Sequence, residues 1–411
     1  MIQGRLIVCI ASSWEYDPTS KHHIMRILSR HNDVLWINYH GSRKPGVNRT
    51  DLRDSVAALR RVLRGLTPVH PTFSHLTPLV IPGASSPRLR RWNQWLVTLQ
   101  IRRALHRARR RPDQPVQIWS FAPDVPFLID AVPAERCVYY CVDNFAQFEG
   151  YDADRIRGME NETLEKAEVV LVSSEALLRD KSRRRRDVVL MRHGVEYDHF
   201  AAAWRASLPI PSDLAAIPRP IFGYHGLLHH WVDLPFLAEV ARLRPFYSFV
   251  LLGDAKVDTS PLQSLNNVYL LGRKSYIGLP AYAAGFDAAL MLFKRDAMTP
   301  YVNPIKLHEY LAAGLRVVST ELPEARRYEG AVLFADGPRE FAEACDRVLE
   351  EAPNTTRESL SRLVRDEDWA LKVEQLSDIV MSMGGRTLAS AQRSTSSVWP
   401  KTLAREPVWV R

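Results

Sequence analysis

Residues 303–314 read NPIKLHEYLAAG, which sets a lysine and a glutamate one helical turn apart. The ends are those of a short helix: Asn303 suits the N-cap, Pro304 the first helical position and Gly314 the C-terminal stop. The charges are in the weaker order. Lys306 falls in the first turn, where the helix dipole disfavours a cation, and Glu309 follows it. An anion at the helix start reverses that argument. Free amides plus Lys306 would hold a diphosphate, and Glu309 at i+3 would accept from the paired hydroxyls of a ribose. The same spacing also fits an exposed Lys–Glu pair worth a few tenths of a kcal/mol.

A second stretch, FGYHGLLHHWVD, places Gly223, His225 and Gly226 at the end of an apolar run and before a helical pattern. Small residues there let backbone amides approach an anion, although an ordinary tight turn has the same composition. It is neither GxxxxGK[ST] nor GxGxxG. Arg273 and Lys274 in LLGRKSY lie just past a strand and fit either a nucleotide contact or a solvated basic pair. Further upstream, RCVYYCVDNF ends a strand on Asp143, a carboxylate that suits a general base or a turn cap. Glu15, Asp17, His22, His23 and His193 are weaker candidates: the two adjacent histidines read as exposed, and His193 reads as packed. Asp152 and Asp154 form a DxD, but they directly precede a helix, where aspartates cap and complement the dipole.

The elements that must position these residues repeat one pattern twice. RLIVCIA, DVLWINY, VQIWSFA, RCVYYCVD, EVVLVSS and DVVLMRHGV read as strands separated by helices, which predicts a parallel α/β sheet over residues 1–200. The Pro-rich segment 201–218 reads as a linker. The alternation restarts with PIFGYHG and continues through SFVLLGD, NVYLLGR, AALMLF, RVVST and AVLFA, a second Rossmann-like domain over 219–365. Helical stretches at 338–351 and 357–383 close it, with 366–383 a C-terminal helix free to pack back on the first domain. Residues 384–411 are Gly/Ser/Thr-rich and read as a flexible tail. Ligands of open parallel sheets bind at the carboxyl ends of the strands, so a cleft between two such sheets is the expected site.

The chain has 411 residues, 46% hydrophobic and 25% charged, the make-up of a soluble globular protein. The four cysteines show no CxxC pairing and read as buried thiols in a reducing compartment, not as a zinc site. The net charge of +9 is uneven: the part up to residue 195 carries 31 Lys+Arg against 20 Asp+Glu. Much of that charge is in SPRLRRWNQWLVTLQIRRALHRARRR. Trp92, Trp95, Leu96 and Leu99 recur there at helical spacing among Arg88, Arg90 and Arg91. Such a helix can lie on an anionic membrane, or pack its apolar side inward and solvate the rest. No nucleic-acid-binding signature accompanies the basic runs, so nucleic acid is not an expected partner.

Taken together, GYHGLLHHWVDLPFLAEVARLRPFYSFVLLGD, NVYLLGRKSYIGLPAYAAGFDAALMLF, NPIKLHEYLAAGLRVVSTELPEARRY and DEDWALKVEQL resemble the nucleotide-sugar-binding domain of GT-B glycosyltransferases. The nearest type is the family-4-like bacterial enzymes of exopolysaccharide and teichuronic acid synthesis, and RHGVEYDHF resembles the element that ends their first domain. The resemblance implies a GT-B fold, two Rossmann-like domains facing a cleft, and transfer of a sugar from a nucleotide-diphospho-sugar donor, with no separate cofactor and no metal. In the family's E-x7-E motif the second glutamate meets the ribose, and Glu309 matches it. The first faces the donor sugar, and Tyr301 stands there instead. That departure bears on the sugar contact and on the retaining mechanism associated with the full motif. Backbone at Asn303 and Pro304 would meet the diphosphate. An inverting enzyme would need one base in the first domain, for which Asp143 is the candidate. Many relatives elongate lipid-linked acceptors, which implies a lipid-linked or glycan acceptor and a cytoplasmic protein peripheral to the inner membrane face. A non-catalytic GT-B subunit that binds glycan or partner proteins, and a nucleotide-sugar 2-epimerase, share the fold.

Overall fold

The computed structural model of the chain describes residues 1–39, 62, 64–81, 86–148, 150–350 and 356–383. The expected tail at 384–411 lies outside them. The first sheet comprises β1 (Leu6–Ala11), β2 (Asp33–Asn38), β3 (Thr67–His70), β4 (Phe73–Leu76), β5 (Val116–Ser120), β6 (Arg136–Cys141), β7 (Val169–Val172) and β8 (Val188–Leu190). Their order is β3-β4-β2-β1-β5-β6-β7-β8. Every neighbouring pair is parallel except β3–β4, an antiparallel edge. That edge hairpin interrupts the expected all-parallel sheet. Pro68 is tolerated in β3 because an edge strand need not donate on both sides.

Alternation along β1 shows why the sheet is covered on both faces. Leu6, Val8 and Ile10 pack in one core with Val97, Ile101 and Ala104 of the helix Pro87–Ala108. Ile7, Cys9 and Ala11 pack in the other, with Ile24, Met25 and Leu28 of the helix Ser20–Leu28. Trp369, Val373, Leu376 and Val380 of the C-terminal helix Trp369–Ser382 join this second core, so the last helix covers the first sheet. All four cysteines are buried and free.

The second sheet comprises β9 (Ile221–His225), β10 (Ser248–Leu252), β11 (Val268–Gly272), β12 (Ala288–Met291), β13 (Val317–Ser319) and β14 (Val332–Phe334), in the order β11-β10-β9-β12-β13-β14. One face packs on the helices Tyr197–Arg205, Leu279–Gly285 and Ile305–Ala312, the other on Leu234–Leu243 and Pro338–Glu350. Tyr197, Phe200 and Ala201 are buried in the second sheet's core, so the crossover between domains is at about residue 195 and the expected boundary at 200 cuts this helix. The linker holds one short helix, Ser212–Ala215. The predicted helix over 357–383 is broken: Arg357–Arg362 ends, a 3-10 turn follows, and Asp368 caps the helix Trp369–Ser382 through the Ala370 amide. Asp368 also accepts from the Tyr197 amide, and Trp369 N donates to Val195 O, so both chain crossings between the sheets are tied together.

Further contacts between the two domains come from segments that follow strands at their carboxyl ends. Buried Asn303 donates its amide to Ser173 O at 2.8 Å. Buried Glu324 accepts from the Glu175 amide at 2.6 Å and from Arg192 Nε at 2.7 Å, and Arg192 also pairs with Glu175 at 2.9 Å. The Glu324 carboxylate thus sits at the N-terminus of the helix Glu175–Ser182 in the other domain, where the dipole favours it.

Candidate active site

Gly226 follows β9 with φ +133°, and the reason is the neighbour above it: a Cβ there would overlap Lys306 Cε. Gly253, after β10 with φ +150°, lies directly against the Gly226 carbonyl in the same way. Gly226 therefore makes room for the lysine, and Gly253 makes room for the Gly226 carbonyl behind it. Lys306 lies in the first turn of the helix Ile305–Ala312, whose leading amides have no intrahelical acceptor. Burial lowers its pKa, while Glu309 and Asp17 act to raise it. The Tyr310 hydroxyl accepts from the His225 amide at 2.9 Å and pins the end of β9 against the same helix.

Glu309 is buried one turn deeper, with His225 Nε2 at 3.7 Å from its Oε2. Burial pushes its carboxyl up to about 7; Lys306 opposes the shift and Glu196 adds to it. His225 is held neutral, down to about 3, by burial and by the charge of Lys306. Glu196 occupies the crossover beside His23, whose Nδ1 is 3.5 Å from it. Burial raises the Glu196 carboxyl, but His23, Tyr276, His199 and Arg26 outweigh it and the net shift is downward. This part of the cleft therefore holds one carboxylate kept ionised and one poised near neutrality.

Across the cleft, Asp143 is half-buried just past β6. Burial raises its carboxyl to about 6, and Lys21 pulls it back. Lys21 was not among the residues singled out by sequence, because only the sheet order brings the end of β1 close to that of β6. Asp17, in the loop after β1, contacts Arg273 at 2.6 Å from the opposite domain.

Several expectations need correction. The helix starts one residue later than predicted, with Pro304 at the N-cap, because the Asn303 side chain bonds to Ser173 of the first domain instead of capping. Tyr301 is half-buried and packs against the first domain's core, so its ring joins the two domains. Lys274 is turned to Asp213 of the linker at 2.6 Å and lies over the Tyr282 ring, away from Lys306. His22 and His23 are buried, His22 by accepting from the Thr19 amide at its own helix start and His23 by stacking on Trp369. His193 is buried, as expected. Asp152 caps its helix at the Arg155 amide, and Asp154 pairs with Arg157. In the basic helix the buried residues are Val97, Ile101 and Ala104. Trp92 and Trp95 are 62% and 56% exposed, edge to face at 5.3 Å, with Arg88 and Arg91 exposed beside them and Arg90, Leu96 and Leu99 half-buried.

Residues 219–351 match the family model described as Glycosyl transferases group 1. The chain is 26% identical over 280 residues to the putative teichuronic acid biosynthesis glycosyltransferase TuaH of Bacillus subtilis (strain 168), a match covering 63% of this chain and 70% of that protein. Its architecture is that of sucrose-phosphate synthase from Thermosynechococcus elongatus, with TM-score 0.66 and 14% identity over 92% of this chain and 99% of the other. It is also that of Anabaena Alr3699/HepE in complex with UDP-glucose, with TM-score 0.63 and 14% identity over 92% and 100%. The chain has the GT-B fold, and residues 219–351 within it are similar to the group 1 glycosyl transferases. Its second sheet carries the group 1 domain, and Gly226, Lys306 and Glu309 all lie within it. Among the described residues no helix of this chain is long and apolar enough to cross a membrane.

Proposed function

We propose that this protein is a glycosyltransferase that moves a sugar from a nucleotide-diphospho-sugar bound on the second sheet to a lipid-linked or polysaccharide acceptor held on the first. The observation that carries the reading is the Lys306 side chain laid over Gly226, with Glu309 one turn deeper. A diphosphate at the helix start meets Lys306 and free amides, and the ribose hydroxyls reach Glu309. Asp143 takes the proton of the acceptor hydroxyl as its oxygen bonds to the anomeric carbon. The bond from that carbon to the diphosphate breaks, its electron pair goes to the phosphate oxygen, and Lys306 stabilises the charge that develops. Arg273 pairs with Asp17, a carboxylate that also acts on Lys306, and joins that lysine by exchanging Asp17 for phosphate. The donor reading is tested by thermal stabilisation with a panel of UDP-, GDP- and dTDP-sugars. At least one should raise the melting midpoint of the wild type, and a panel without effect sinks the reading.

The acceptor side rests on the exposed Trp92–Trp95 pair with Arg88 and Arg91 on one helix, and on the Bacillus relative's place in teichuronic acid biosynthesis. Exposed tryptophans flanked by arginines suit the interface of an anionic bilayer, with about 1 kcal/mol per basic residue near the surface. The protein should float with vesicles containing phosphatidylglycerol and stay behind with pure phosphatidylcholine. The double substitution Trp92→Ser/Trp95→Ser should leave it in the unbound fraction. Equal flotation of the double variant would remove the tryptophans from the argument.

A further inference from the structure

Lys21 lies in the first turn of the helix Ser20–Leu28, directly after the loop that leaves β1. It is a cation at a helix N-terminus, in the position the dipole disfavours, and half-buried. Lys306 has the same unfavourable placement in the other domain, and there the proposed diphosphate accounts for it. Lys21 needs its own reason.

The sheet order supplies one. β1 and β6 flank β5, so the carboxyl ends of β1 and β6 stand two strand spacings apart, about 10 Å. Lys21 rises from the β1 side and Asp143 from the β6 side of the same floor. Buried His193, past β8, completes the cluster with an Nδ1 that has no hydrogen-bond partner among the described residues. We propose, building on the reading of Asp143 as the base, that Lys21 is a positioning residue for transfer: its ammonium holds the Asp143 carboxylate ionised and fixed toward the acceptor hydroxyl.

Among the described residues the other titratable groups around Asp143 are neutral or committed elsewhere. Cys9, beneath it on β1, is kept as a thiol because burial raises its pKa well above the ordinary value. His193 is kept neutral, down to about 3, first by burial and then by neighbouring cations that include Lys21. On the strand that carries Asp143, Cys141 Sγ donates to the Asp143 carbonyl and its thiol is likewise held up by burial. Glu160, behind Cys141, is committed to Lys181 at 2.7 Å and to the Tyr139 hydroxyl. Among the described residues the charged group acting on Asp143 is Lys21, which lowers a carboxyl that burial has raised to about 6; burial lowers the pKa of Lys21 itself, and Asp143 in turn acts to raise it.

Two readouts test this. The first needs no ligand: carbon-13 NMR titration of protein labelled at aspartate carboxyls, with the Asp143 signal identified by its loss in Asp143→Asn. The midpoint should move up by about one pH unit or more in Lys21→Met and stay in place in Lys21→Arg. The second is the pH profile of UDP-glucose hydrolysis, in which water takes the acceptor's place and needs the same base. The acid limb of Lys21→Met should shift upward by the same interval, with the rate recovering at alkaline pH, which a folding defect would not produce. Coincident titrations of Lys21→Met and wild type overturn the inference. Near-wild-type transfer by Asp143→Asn overturns the base assignment and the inference with it, whereas an inactive Asp143→Asn beside an unmoved Lys21→Met limb overturns the role of Lys21 alone.

Discussion

Asp143→Asn lowers sugar transfer by about a hundredfold to ten-thousandfold, the range for loss of a positioned base, and leaves donor-induced thermal stabilisation intact. The split follows from the architecture. Asp143 stands on the first sheet, and Gly226, Lys306 and Glu309 stand on the second. The amide of Asn keeps the shape of the carboxylate but cannot accept the hydroxyl proton. In the wild type the rate should decline as pH falls through about 6, because burial has raised the Asp143 carboxyl to that value and a protonated carboxyl is no base. Above pH 7 the base is ionised and the limb is flat. Initial rates from pH 5 to 8, with the nucleotide-sugar that stabilises the protein and an extract of bacterial lipid as acceptor, measure both effects. Transfer by the variant within tenfold of wild type would assign the base elsewhere, and Glu196 is the next carboxylate in the cleft.

Most of the scaffold was legible because it is locally encoded. Runs such as RLIVCIA and SFVLLGD are apolar on both faces, as strands buried between helix layers must be, and each stands where it was expected. What escaped was decided by distant partners. Asn303 has the composition of a cap, yet its amide is taken by Ser173, 130 residues away. Asp368 breaks a continuous helical pattern because it must also receive the Tyr197 amide, 171 residues away. Tyr197 and Phe200 read as the end of one domain and pack in the core of the other, because the chain crosses just before them. In the site itself, Lys306 and Glu309 were readable as one helix face, and Gly226 as a turn before a helix. Their meeting was not readable: that the Gly226 conformation serves the Lys306 side chain appears only in three dimensions. Lys21 has the same first-turn placement as Lys306, but only the sheet order brings it opposite Asp143.

Glu309→Gln should separate donor affinity from stability in opposite directions. A carboxylate accepting from two ribose hydroxyls is worth more than an amide in the same place, since a hydrogen bond to a charged group contributes about 1.5–3 kcal/mol. A loss of about ten- to a hundredfold in donor affinity is expected, read as the near disappearance of the nucleotide-sugar thermal shift. Stability runs the other way with pH. The Glu309 carboxyl is raised by burial from an ordinary 4.5 to about 7, so the folded state holds this proton more tightly than the unfolded chain does. Its contribution is complete below pH 4.5 and declines as pH rises to about 7, above which the full cost of a buried carboxylate is present. Glutamine never ionises and lacks that decline. Relative to wild type, the variant should therefore gain on the order of 2–3 kcal/mol between pH 4.5 and 7.5, seen as a melting midpoint that rises by several degrees against the wild-type curve. The attraction between Glu309 and Lys306 exists only where Glu309 is ionised and already lowers its carboxyl to about 7, so it adds no separate offset between the two curves. Donor affinity of the wild type should weaken as pH falls through 7, while that of the variant stays flat. Parallel melting curves across this range would mean that Glu309 is ionised and solvated in the free enzyme, and a full donor shift in the variant would remove it from the nucleotide site.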